Sequence, residues 1–582
     1  MAIRVGLIRT CDTRFNVLFS GIANSAETGK CCQAVDVARF TPHVTGTMMM
    51  TYRSSSANGR VALFASLALL AILAIVGIAT RPLTPIDETR YVSAAWEMWL
   101  RGDFLVPFKN GEPYSHKPPF MFWMFQAGWA LFGVNDWWPR LVQPLFSAGA
   151  LLLTYLLARR LWPQHDGLGG QAALVLVSAL LWILFSTTVM FDVILAFWVL
   201  LGMHGVLAAA GGKQRGFVML GIAIGMGLLT KGPVILLNLL PITVLAPWWR
   251  PGLRWGRWVG GVALAVLLGA AIALTWALPA GMAGGETYRN AIFWGQTADR
   301  MVDSFAHRRP FWWYLPLLPL LLFPWFVWPG LWKALARHRR NGLDWGARFC
   351  LAWMLPVFIA FCFISGKQPH YLVPLFPAFA LLAARVLADR PEFRVGLPAL
   401  LVALLGGALV LAASGHIASL RDQVQVLPPA WPGALLILLA LAVYWAGRRG
   451  MAPVVNLALL GAATMGLVQI AALHSLGPLY DIKPMAQAIK QVQDEGRPVA
   501  NAAVYHAQYQ FLGRLESPLV ELRGEKVAVW LAAHPEAYAV IYLKDTQTLP
   551  AITARHKQAY RGGAVVLVDA KTAASLLAAH VE

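Results

Sequence analysis

A polytopic α-helical membrane protein with a small α/β domain at its C-terminal end is the fold class this sequence predicts. Three observations predict it. The 582 residues are 58% hydrophobic and only 13% charged, a balance foreign to ordinary soluble domains. Apolar runs of about 20 residues, the length that crosses a bilayer, recur between residues 61 and 473. From about Gly477 onward these runs give way to one amphipathic helical stretch and several short apolar segments, the pattern of a mixed α/β unit.

The elements follow in order. Residues 1–57 are polar, lack an amphipathic period, and show no signal-peptide core and cleavage site near Met1. They are expected to be a disordered leader or to lie upstream of the true start, with the first span as an uncleaved signal anchor. Thirteen spans are expected, near 61–79, 139–158, 171–188, 192–210, 216–230, 233–247 and 258–279, then 311–332, 348–365, 371–388, 396–413, 432–446 and 453–473. Together they make a membrane domain over residues 58–475. Phe120 to Gly133 is apolar but short, rich in Trp and Phe, and follows two prolines. It is expected to lie in the interface, within a first outer loop over 87–138. Residues 476–582 form the α/β domain, with a helix over Asp481–Glu495, strands at Val499–Val504, Ala539–Leu543 and Ala564–Val568, and a helix at Glu525–Ala533.

The formal charge is +20, yet the Lys and Arg residues sit mostly in short loops between apolar runs. Membrane orientation and anionic lipids account for this better than nucleic acid does. Five cysteines show no metal-ligand spacing, and Cys350 and Cys362 fall inside an apolar run as small core residues.

Sidedness makes the pattern functional. With Phe120–Gly133 in the interface, Arg53, Arg60, Arg159-Arg160, Lys213, Arg215, Arg250, Arg254, Arg257, Lys333, Arg337, Arg339, Arg340, Arg390, Arg394 and Arg448-Arg449 all fall on one side. That side is the cytoplasm. The opposite, outer face then collects Asp87-Glu88, Lys117, Asp192, Lys231, Arg300 and Lys367-Gln368-Pro369-His370-Tyr371 from separate loops. Charges at a membrane surface cost free energy unless they hold a ligand, a partner or a reaction.

Asp87 and Glu88 open a helix, where acids are favourable in any case; capping and catalysis are compatible there. Lys117 precedes Pro118-Pro119, which fix the chain, and an ammonium held at headgroup level suits a phosphate. A snorkelling lysine is the plainer alternative. Asp192 lies between two spans almost without a loop, as a helix cap or as an orienting acid. Lys231 precedes the tight Gly232-Pro233 turn. Arg300 has the geometry to fork onto a phosphate, whereas Arg308-Arg309 read as a solvated face. Lys367, His370 and Tyr371 add cationic and hydrogen-bonding capacity. Carboxylates among cations suit chemistry on a lipid-linked phosphate: the cations stabilise a leaving phosphate and the acids orient a nucleophile or act as base.

The series Asp87-Glu88-Thr89-Arg90-Tyr91, Gly102-Asp103, Pro107, Lys117-Pro118-Pro119, Trp123 and Arg140, with Thr230-Lys231-Gly232-Pro233 and the run from Lys367 to Pro377, resembles bacterial protein-mannosyltransferase-like glycosyltransferases of GT-C fold. Within that superfamily it is most similar to the transferases that place 4-amino-4-deoxy-L-arabinose on lipid A. The resemblance covers residues 60 to 582. It implies an inverting enzyme with an undecaprenyl phosphate-linked sugar as donor and a lipid A (lipopolysaccharide) phosphate as acceptor. It also implies an inner-membrane protein facing the periplasm and resistance to polymyxin. Asp87 matches the catalytic acid, with Glu88 and Asp192 as further catalytic candidates. Lys117 and Arg300 match ligands of the donor phosphate, and Tyr114 and Tyr371 line the same cavity. Lys231, Lys367 and His370 complete the expected substrate-binding set. No cofactor or metal is expected, membrane lipids are the surroundings, and the chain is expected to act as a monomer. Two alternatives stand beside this reading: a GT-C transferase that moves another polyprenyl-linked sugar to a protein or polysaccharide hydroxyl, and a lipid-linked sugar flippase.

Overall fold

The computed structural model describes residues 56–295, 308–340, 342–388, 394–417, 426–544 and 549–579. The leader expected over residues 1–57 lies almost wholly outside them. The first nine helices are α1 (Ser56–Thr80), α2 (Asp87–Arg101), α3 (Phe120–Phe132), α4 (Trp138–Leu161), α5 (Leu168–Ser178), α6 (Leu180–Ser186), α7 (Asp192–Ala210), α8 (Arg215–Lys231) and α9 (Val234–Val244).

Among the described residues, nine helices are long and apolar enough to cross a membrane, or ten if the bent pair α5–α6 is one span. The thirteen apolar runs are therefore not all straight helices. The run at 171–188 breaks by 73° between α5 and α6, and the freed Leu180 N–H donates to the Phe323 carbonyl at 3.0 Å. Such breaks are tolerated where other protein groups satisfy the backbone. The run at 216–230 lies in α8, of 17 residues, at the lower limit for crossing. The run at 233–247 holds α9, of 11 residues and with Pro241 inside it. The run at 311–332 folds as short turns, because Pro316, Pro319, Pro324 and Pro329 remove donors from any continuous helix. Trp325 and Trp328 bury themselves completely in that segment. At 13 residues, α3 is too short to cross.

Beyond the last long helix, Pro453–Tyr480, stands a five-stranded sheet. Its strands are β3 (Val499–Asn501), β4 (Val520–Glu521), β5 (Tyr538–Leu543), β6 (His556–Tyr560) and β7 (Gly563–Asp569), in the order β4-β3-β5-β7-β6. The β3–β4 and β3–β5 pairs are parallel; β5–β7 and β6–β7 are antiparallel, with Val540 opposite Leu567. The amphipathic helix Lys483–Asp494 buries Met485, Ala486, Ile489 and Val492, the apolar face its period predicts. Strands β4 and β6 were not expected: the first has two residues and the second, His-Lys-Gln-Ala-Tyr, is half polar.

A small hairpin ties this sheet domain to the loop after α2. Strands β1 (Phe108–Lys109) and β2 (Glu112–Pro113) flank Asn110-Gly111, both at positive φ (54° and 85°), as a two-residue hairpin turn requires. Buried Glu97 of α2 accepts the Asn110 N–H and, at 2.8 Å, the Gly111 N–H. The Asn110 side chain donates to the Leu519 carbonyl at 2.9 Å and accepts the Leu519 N–H at 2.8 Å. The Trp96 indole donates to the Leu515 carbonyl at 3.0 Å. One buried cluster runs from Tyr91, Trp96 and Phe122 through Phe191 to Phe511 and Val540. The sheet domain and the loop that carries Asp87 thus share a core.

Candidate active site

The adjacent carboxylates at the start of α2 have opposite surroundings. Glu88 is buried. Arg81 grips it as a fork, at 2.7 and 3.0 Å, while the Thr84 and Val189 N–H groups donate to it at 2.8 and 2.7 Å. Four donors fill the acceptor sites of a carboxylate. Arg81 also donates to the Thr187 carbonyl at 2.6 Å. Glu88 therefore fastens the turn after α1 and the 187–189 segment to α2. This corrects the expectation of a catalytic Glu88: no oxygen is left for a substrate. Arg81, which ends an apolar run with no motif around it, was not singled out in the sequence. Its only signal is that an acid this buried needs a cation.

Asp87 is 54% exposed. The Arg90 guanidinium donates to its Oδ1, and the Tyr91 hydroxyl approaches the same oxygen at 3.5 Å. Burial, with the Asp87 charge beside it, pushes the Tyr91 phenol well above its ordinary pKa. Tyr91 is thus held as a donor.

Across the site, Asp192 starts α7 and Lys231 ends α8, so a favourable charge sits at each helix end. The two pair at 2.5 Å. Asp192 is 1% exposed, and its second oxygen is buried with no hydrogen-bond partner among the described residues. That oxygen is an unusual, costly group. Lys231 also lies 4.9 Å from the centroid of the Tyr371 ring, within cation–π range. The Lys117 ammonium stands 5.2 Å from the Phe191 ring centroid and 5.9 Å from that of Tyr91. Tyr114 is buried and stacks on His116 at 5.3 Å. His370 packs against Phe185 and Tyr371 and lies within electrostatic reach of Asp192, Lys231, Lys117 and Asp87.

The fold thus brings Asp87, Lys117, Asp192, Lys231, His370 and Tyr371 to one end of the helix bundle from distant stretches of chain. Lys367, three residues before His370, points its side chain to backbone instead. Lys367 is buried, and its ammonium donates to the backbone carbonyls of Arg309 and Ile364 at 3.0 and 2.6 Å. Its role is to hold that turn, which corrects its assignment to substrate. Arg300 lies outside the described residues. Two motif residues are structural as well: Arg140 donates to the Gly77 and Ile78 carbonyls at 2.6 and 2.9 Å, closing the end of α1, and Trp123 donates to the Phe104 carbonyl at 2.7 Å.

Two acids and several cations, one acid half open and the other with a spare oxygen, suit an anionic headgroup presented at a membrane surface. A polytopic helical membrane protein with a polar site at one end of the bundle is what this fold and site define. Residues 116–278 match the family model of dolichyl-phosphate-mannose-protein mannosyltransferases.

The particular likeness is to ArnT. The fold superposes on the crystal structure of ArnT from Cupriavidus metallidurans bound to undecaprenyl phosphate with a TM-score of 0.70, at 23% identity, over 88% of this chain and 98% of that one. In sequence, the chain is 35% identical over 325 residues to the undecaprenyl phosphate-α-4-amino-4-deoxy-L-arabinose arabinosyl transferase of Pseudomonas aeruginosa, over 54% of this chain and 58% of the relative. It is 33% identical over 362 residues to the protein of that name from Edwardsiella ictaluri, over 60% and 64%. The matches span about three-fifths of these relatives' length. The chain thus shares the polytopic helical membrane fold of ArnT.

Proposed function

We propose that this chain is an inverting glycosyltransferase that moves 4-amino-4-deoxy-L-arabinose from undecaprenyl phosphate to a phosphate of lipid A. It would act in the bacterial inner membrane, with its site and α/β domain facing the periplasm, and so confer resistance to polymyxin and other cationic peptides. The observation that carries the reading is the convergence of Lys117, Lys231 and Tyr371 with Asp87 and Asp192 in a chain this similar to arabinosyl transferases. Basic loops gathered at the opposite end support the orientation.

In the reaction, an acceptor phosphate oxygen attacks the sugar's anomeric carbon. The bond from that carbon to the undecaprenyl phosphate oxygen breaks, and the oxygen keeps the electron pair. Lys117 and Lys231 stabilise the charge on the departing phosphate. A phosphate acceptor is already ionised, so Asp87 is needed less as a base than as the group that holds the sugar, including its amine. Asp192 fixes Lys231 and offers its spare oxygen to the sugar. Adding an amine-bearing sugar lowers the net negative charge of the outer lipid, which weakens its attraction for cationic peptides.

The test is sugar transfer by the purified full chain from a synthetic undecaprenyl phosphate donor to lipid A, read by the mass of the product. Absence of an aminoarabinose mass increment, with a different sugar or a protein hydroxyl served instead, would overturn the substrate assignment. Movement of the lipid-linked sugar across liposomes with its phosphate–sugar bond intact would overturn the enzyme.

A further inference from the structure

Lys117 stands on no helix or strand. It lies between β2 and α3, four residues after Pro113. Its ammonium is nevertheless kept beside the rings of Phe191 and Tyr91, and the Tyr91 hydroxyl meets Asp87. A site residue on a loop is placed only as well as the backbone on either side of it. On one side Pro118-Pro119 and α3 fix the chain. On the other is the β1–β2 hairpin, and the sheet domain holds that hairpin.

One side chain makes the fastening. The Asn110 amide donates to the Leu519 carbonyl at 2.9 Å, and its oxygen accepts the Leu519 N–H at 2.8 Å and the Gln510 side chain at 3.3 Å. Gln510 is buried and in turn accepts the Tyr505 hydroxyl at 3.1 Å. The hairpin passes the constraint on: the Tyr114 N–H, just past β2, donates to the Pro107 carbonyl at 2.7 Å, and buried Tyr114 stacks on His116. The same stretch of the sheet domain grips α2, where the Ser93 hydroxyl accepts the Phe511 N–H at 3.1 Å. Residues 510–519 therefore hold both the helix that carries Asp87 and Tyr91 and the turn that leads to Lys117.

The Asn110 side chain is not needed for the turn or for docking. An Asn-Gly pair closes a two-residue hairpin through its backbone, and Glu97 holds that backbone from α2. The sheet domain is also docked by the Trp96 indole on the Leu515 carbonyl, by Phe511 stacked on Trp129 at 5.2 Å, and by Arg514 and Lys483 on Asp136. What the Asn110 bonds add is a fixed distance and direction between hairpin and sheet domain.

We propose that Asn110 is a positioning residue, through which the sheet domain sets where Lys117 stands relative to Asp87. It thereby tunes the hold of the site on the phosphate of the lipid-linked donor. The inference rests on the transferase reading above, in which Lys117 meets that phosphate.

The experiment titrates undecaprenyl phosphate, without sugar, into the purified full-length protein and its variants. Asn110→Gly keeps the positive φ of the turn and removes the side-chain bonds. It is expected to weaken binding by about 5-fold. Asn110→Asp keeps an acceptor for the Leu519 N–H and should fall between the parent and Asn110→Gly. It also carries the comparison should Asn110→Gly not fold, which thermal unfolding reports. The deciding step adds Lys117→Ala. On that background Asn110→Gly should weaken binding no further, because the group it places is gone. Losses that multiply in the double variant, or parental affinity in the folded Asn110 variants, overturn the proposal. Parental affinity in Lys117→Ala would instead overturn the phosphate site on which it rests.

Discussion

The two ends of the helix bundle treat their carboxylates differently. At the end lined by basic loops, Asp344 caps the helix Trp345–Phe363 by accepting the Ala347 N–H at 2.8 Å. Its oxygens also accept the Trp162 indole at 3.0 Å and the Arg385 guanidinium at 2.7 Å. Both oxygens are used, and three stretches of chain are pinned. At the other end, Asp87 is half open and Asp192 keeps a buried oxygen without a partner. Glu88, adjacent to Asp87, is saturated in the manner of Asp344. An acid in this membrane protein is thus structural where its bonds are complete. Where valence is left over, it can still accept a bond from a ligand.

The contrast can be broken by experiment, and the largest effect belongs to Glu88. Glu88→Ala strands Arg81 and two N–H groups in a buried place, so unfolding in detergent should become easier by about 3–5 kcal/mol. A variant as stable as the parent would show that the buried knot does not hold the loop. Asp87→Asn should do the reverse, with parental melting and sugar transfer reduced by about 100-fold, as loss of the group that positions the sugar does. Asp192→Asn weakens the hold on Lys231 and should cost about 10-fold in kcat with a smaller loss of stability than Glu88→Ala. Asp344→Asn should lower stability by about 1–3 kcal/mol and leave the kcat of the folded fraction unchanged. A kcat defect there would erase the distinction between the two ends.

The smallest effect concerns pH. Asp136 loses hydration by partial burial, but its bonds to Lys483 at 2.8 Å and Arg514 at 2.5 Å outweigh that and hold its carboxyl below the usual range. A depressed folded-state pKa adds stability above the unfolded value, near 3.8, and that stability is lost as pH falls through the folded value. Docking of the sheet domain should therefore be flat from neutral pH to about pH 5 and weaken only below about pH 4. Limited proteolysis across that range checks it, and Asp136→Asn should remove the acid step.

Much of this was legible because it is local. The helix Glu525–Ala533 and the amphipathic helix after Gly477 depend on near neighbours in the chain, and the structure has them. The Asn110-Gly111 turn carries an equally local signal. The kinks were harder, because a proline run such as 311–332 reads as apolar whether it forms one helix or several turns. Roles were hardest of all. Lys367 lies two residues before Pro369 in a motif rich in site residues, but its ammonium turns to the carbonyls of Arg309 and Ile364.

Sequence alone determined the membrane class, the change to an α/β unit near Gly477, and which charged residues, Asp87, Lys117, Asp192 and Lys231 among them, stand as candidates, because hydrophobicity and the cost of burying charge act residue by residue. Only the tertiary structure decided which acid is saturated and which is open, and that the sheet domain shares a core with the helix that carries Asp87. Those outcomes depend on pairing across long stretches of chain, from Glu88 to Val189, Asp192 to Lys231 and Lys109 to Tyr505. No local pattern encodes them, because a carboxylate's role is set by how many donors the fold brings to it.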